Sequence, residues 1–101
     1  MKQIACSLDQ PALGDRRTRW LALADQLLGI ELTAEGQRLT FRAAAQGELL
    51  ALADLERECC AFAEWAVAAE DGIAVLEVTG DSPEAIDAVQ AMFGPLRAAL
   101  A

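Results

Sequence analysis

The chain contains no histidine and no tyrosine among its 101 residues, and only three cysteines. Without imidazole there is no ready general base at neutral pH, so serine or cysteine catalysis of the histidine-assisted kind and histidine-ligated metal sites are excluded. Basic residues are also scarce. Eight Lys and Arg stand against 16 Asp and Glu, a net charge of -8 that repels phosphate backbones and makes a nucleic acid an unexpected partner. Long apolar runs are missing too, although 54% of the residues are hydrophobic. No stretch approaches the ~20 residues of a membrane span, and no membrane partner is expected.

The amino terminus, Met1 to Cys6, lacks the apolar run and small-residue cleavage site of a secretory signal, which gives a cytoplasmic expectation. In a reducing compartment an odd cysteine count speaks for free thiols, metal ligation or redox use rather than a disulfide scaffold. Charge is uneven along the chain. Lys2, Arg16, Arg17, Arg19, Arg38 and Arg42 balance the early acids, whereas beyond position 43 only Arg57 and Arg97 oppose eleven acids, the pattern of a solvated acidic surface.

Apolar periodicity supplies the elements. Gln3 to Leu8 alternates as a short strand with Ile4, Cys6 and Leu8 on one face. Asp9 caps a helix starting near Pro11, with Leu13, Arg17, Trp20, Ala24, Leu27 and Leu28 as its stripe and Gly29 as its end. Ile30 to Thr33 and Arg38 to Arg42 form a hairpin around 34–37, with Ile30, Leu32, Leu39 and Phe41 inward. A second helix is expected from Gly47 to Ala69, burying Leu52, Leu55, Cys59, Phe62, Ala63 and Ala66. Asp71-Gly72 then turns into a strand from Ile73 to Thr79, and a third helix covers about 82–94, capped by Ser82 or Asp81 and stopped by Gly94-Pro95. This order predicts one α+β domain over 1–101. Its simplest form is a ferredoxin-like βαββαβ sandwich, a four-stranded antiparallel sheet with two helices on one face, plus a C-terminal helix. The other sheet face is either open or the surface of a homodimer.

The chemistry that remains is sulfur. Cys59 and Cys60 are adjacent, and neighbouring helical residues point about 100° apart, so the two are not equivalent. A disulfide between them is not expected, because adjacent Cα atoms at ~3.8 Å lie below the usual disulfide range. Cys6, inward-facing on the first strand, is the third candidate. Glu56 precedes the pair by three and four residues and reaches toward both sulfurs as a base or a further ligand. Arg17, on the stripe of the first helix, would favour a nearby thiolate. The plainer readings are that Cys6 and Cys59 fill the core, Glu56 is solvated, Arg17 snorkels or lies over Trp20, and Trp20 and Trp65 pack.

Three segments carry a resemblance: Ile4-Ala5-Cys6, Arg16-Arg17-Thr18-Arg19-Trp20, and Glu56-Arg57-Glu58-Cys59-Cys60-Ala61-Phe62. In this order they resemble a small uncharacterised bacterial family with Ile-Ala-Cys, Arg-Arg-x-x-Trp and Glu-Arg-x-Cys-Cys-x-Phe motifs, found near heavy-metal-resistance and mercury-responsive regulator genes. The resemblance implies a thiophilic ligand. A proline commonly follows the two cysteines in that family, and this chain has Ala61 there.

Three functions follow. The first is binding of a soft metal or metalloid through Cys6, Cys59 and Cys60, with mercury, copper(I), zinc or arsenic(III) as the ions that thiolates select. Another is a thiol redox sensor or enzyme using Cys60, and the last is a non-catalytic, dimeric interaction or ligand-binding module. No enzymatic activity is singled out.

Overall fold

The computed structural model describes residues 10–59, 63–94, 96 and 98, and side chains from Arg16 to Glu58 and among the later residues. The strand expected at Gln3 to Leu8 lies outside the described residues. Helix α1 spans Gln10–Ala22 and runs through a 3-10 turn, Leu23–Gln26, into β1, Leu27–Thr33. Strand β2 is Gly36–Arg42, α2 is Gln46–Cys59, β3 is Ala63–Glu70, β4 is Ile73–Gly80 and α3 is Pro83–Gln90.

The architecture is α+β, with a four-stranded sheet in the order β1-β2-β4-β3 and every neighbour antiparallel. Three of the expected strands are present. The fourth corrects the second helix, which ends at Cys59 rather than at Ala69, because residues 63–70 form a strand paired along its whole length with β4. The cause lies at the turn: Asp71 and Gly72 both take positive φ, 39° and 84°, the two-residue geometry that joins twisted antiparallel strands. Leu27 and Leu28, expected on the first helix, begin β1 instead, where a register irregularity between Leu27 and Gly29 leaves Leu28 exposed.

One face of the sheet carries Leu39 and Phe41 from β2, Leu76 and Val78 from β4 and Trp65 from β3, brought together by the pairs Leu39↔Leu76, Phe41↔Ala74 and Trp65↔Val78. Leu49 and Leu52 of α2, Ala85 and Val89 of α3 and Trp20 of α1 complete the same cluster. Each fully buried Leu or Phe contributes about 2–3 kcal/mol of transfer free energy. On the other face Thr40 pairs with Val75, and Arg38 lies between Glu31 and Glu77. Donation to Glu77 is the main cause that raises the Arg38 guanidinium above its ordinary value.

Helix α3 starts as one of the two anticipated registers describes, with Ser82 Oγ accepting from the Ala85 N–H at 3.1 Å and Pro83 in the first turn. It closes at Gln90, short of Gly94, and Phe93 takes the left-handed turn at φ 64°. Its far end is fixed by Gln37, whose Nε2 donates to the carbonyls of Val89 at 2.6 Å and Met92 at 3.1 Å. Gly36 and Gly80 permit this closure: a Cβ at Gly36 would lie 1.9 Å from the Val78 carbonyl oxygen, and one at Gly80 2.6 Å from the backbone of Ala85.

Candidate functional site

Polar chemistry gathers where α1 crosses α2. Arg16 meets Glu56 and Arg19 meets Glu48, so advancing along α1 retreats along α2 and the helices run antiparallel. At the inner contact Arg16 Nη1 bonds Glu56 Oε1, with only 13% and 11% of the two side chains exposed. Glu56 Oε2 accepts from Trp20 Nε1 at 3.0 Å. One carboxylate therefore ties down a guanidinium and an indole from the same helix. The outer contact is wetter: Arg19 reaches Glu48 at 2.6 Å and 3.4 Å, and each is 40% exposed.

An aromatic cluster lies beneath. The Trp20 ring stands 6.2 Å from that of Trp65 and 5.0 Å from Phe93, and Trp65 and Phe93 are 6.1 Å apart and edge-on. Arg57, in the last turn of α2, bonds Asp54 and the main-chain oxygen of Trp65, fastening that turn to β3. The two indoles differ. Trp20 gives its N–H to Glu56, whereas Trp65 Nε1 is buried with no hydrogen-bond partner among the described residues.

Glu56, singled out for its spacing from the cysteines, is buried rather than solvated, and it sits one turn before Cys59, the residue that closes α2. Arg17 is the correction. It is exposed, and its neighbour Arg16 occupies the inward position, because the stripe of α1 runs Arg16, Trp20, Leu23 and into Leu27 rather than through Arg17. Arg16 and Trp20 as partners of Glu56 went unread, although their spacing of four, then three to Leu23, was a legible signal. Cys6 and Cys60 lie outside the described residues, as does the side chain of Cys59. Among the described residues no group of three acidic, histidine or cysteine side chains is placed to hold a metal, and no helix is long and apolar enough to cross a membrane.

Comparison of the chain with protein-family models, with curated proteins and with solved structures finds no match.

Proposed function

We propose that the protein binds a thiophilic metal or metalloid ion through cysteine thiolates, for sequestration, sensing or delivery. Cys59, which closes α2, and Cys60, next in sequence, are its sulfur donors, and Cys6 is the third. The observation that carries this reading is the position of Cys59: it closes α2 one turn after a buried carboxylate fixed by Arg16 and Trp20. The C-terminal end of a helix bears partial negative charge, which favours a cation there and disfavours an uncompensated thiolate. A bound cation meets that condition; a free nucleophilic thiolate does not. In this reading Glu56 is a positioning residue, and Arg16 takes the supporting role first assigned to Arg17.

The resemblance to a bacterial family near mercury-responsive regulators points the same way, as does a cytoplasmic setting, which would keep the thiols reduced. For the fold we infer a ferredoxin-like sandwich in permuted order. Strand, strand, helix, strand, strand, helix with the sheet order β1-β2-β4-β3 is what that topology yields when its ends are joined and the chain is reopened before its second strand.

The test is anaerobic titration with mercury(II), copper(I), zinc(II) and arsenite, each followed by native mass spectrometry. The expected result is one retained ion per chain, lost when Cys59 and Cys60 are both replaced by serine. Retention of none of the four, with all three thiols reduced, contradicts the proposal. The same spectra read whether the chain is a homodimer.

A further inference from the structure

The sheet face opposite the core does not have the composition of a solvated surface. The pairing registers align its residues in rows across all the strands: Glu31, Arg38, Glu77 and Ala66 in one, and Gly29, Thr40, Val75 and Ala68 in the next. The second row has no charge and no long side chain, although a sheet face left to water normally turns polar residues outward. Val75 is 8% exposed yet stands outside the core cluster, whose strand members all lie on the other face with the helices they pack. Ala66 and Ala68, on the edge strand β3, are exposed.

The charged row is complementary to itself. Arg38 Nε and Nη2 both donate to Glu77 Oε1, at 3.2 Å and 2.9 Å, and no described bond reaches Oε2. The centre of the sheet lies between β2 and β4. A two-fold axis along the strands at that centre lays β2 of one copy over β4 of the other, and β1 over β3. Each Arg38 then faces the second copy's Glu77, each Thr40 its Val75 and each Gly29 its Ala68. An axis across the strands, through the Thr40 and Val75 row, would instead set Arg38 against Arg42, a like-charge contact. We propose that this face binds a second copy of the chain, sheet upon sheet with strands aligned, through the uncharged row and reciprocal Arg38 and Glu77 contacts.

Small side chains in the uncharged row let two sheets approach to the usual spacing of ~10 Å. Four strands about 4.8 Å apart and about seven residues long give a face of roughly 19 by 24 Å, at the low end for a specific interface. The dimer is therefore a micromolar one in exchange with monomer, not a permanent assembly. It requires nothing of the cysteines and stands apart from the ion-binding reading.

Sedimentation velocity of the whole chain over a concentration series should show monomer and dimer in equilibrium. Arg38→Glu leaves only acids at the facing charged positions and Glu77→Arg only guanidiniums, so each variant alone should dimerise about tenfold more weakly or worse. Both side chains are 45% exposed, so both variants should fold. Mixed in equal amounts, the two variants regain opposite charges across the axis and should form a heterodimer of near wild-type affinity. A second measurement needs no variant: in nitrogen-15 spectra of the wild-type protein, dilution should move the amide signals of Thr40, Val75 and Ala68. Movement confined to Leu28 and Leu32 would place the contact at the β1 edge and overturn the proposal. A wild-type chain that stays monomeric at about 1 mM, a dimer indifferent to both substitutions, or a mixture without heterodimer overturns it as well.

Discussion

Gln37 and Glu56 are both polar and both buried, but Gln37 is a neutral amide bonded to main-chain carbonyls, whereas Glu56 is a carboxylate held by two side chains. The first joins β2 to the end of α3, and any residue types at Val89 and Met92 would accept its bonds, because only their carbonyls are used. The second joins α1 to α2 by a charge pair, a join that apolar side chains of similar volume often make as well or better. The two described bonds of the amide are therefore accounted for by topology. Glu56, one turn before Cys59, gives the buried Trp20 N–H an acceptor, a task that does not by itself require a charge.

The contrast can be broken in order of effect. Glu56→Ala removes the carboxylate that Arg16 and Trp20 share, and because both ends of the pair keep slight exposure the expected loss is about 3 kcal/mol, toward the low end for a buried pair. Urea unfolding should show it as a lower midpoint at unchanged slope. Gln37→Leu leaves the carbonyls of Val89 and Met92 without that donor and should cost about 2 kcal/mol by the same measurement. If it costs more than Glu56→Ala, the charge pair is the lesser of the two joins and the comparison fails.

The double replacement Arg16→Met with Glu56→Met sharpens the point. It should recover part of the single-site loss but stay about 1–2 kcal/mol below wild type, because the buried Trp20 N–H loses its acceptor, while ion retention by native mass spectrometry falls. Retained ion binding would reduce Glu56 to a structural residue. The smallest effect belongs to the exposed pair at the same crossing: Arg19→Ala should cost less than about 1 kcal/mol, and raised salt should erase the difference.

Much of the fold was legible because strands announce themselves by alternation. Leu39 and Phe41 face inward as expected, and Ser82 caps α3 as one of the two anticipated registers describes. Local composition points to helix through Ala69 because alanine is the strongest helix former and a weak strand former, so it opposes the pairing that prevails. The contrary signals were Asp71-Gly72 and the alternation of Ala63, Trp65 and Val67, all turned toward the core side of the sheet.

In α1, stripes through Arg16 and through Arg17 both satisfy helical spacing. What separates them is Glu56 on α2, a tertiary partner that no period within α1 contains. Gln37 was placed in a turn for a similar reason: its partners lie more than fifty residues away on the end of α3. Glu56 itself was found through its distance from the cysteines, but its burial depends on Arg16 and Trp20 arriving from another helix.

The central claim is that sulfur at the end of α2 holds an ion. X-ray absorption at the mercury edge, on protein loaded with one equivalent under anaerobic conditions, tests it most directly because it identifies the atoms bound to the metal. The account predicts two or three sulfur neighbours, lost in the Cys59→Ser, Cys60→Ser protein. A shell of oxygen and nitrogen alone would contradict it.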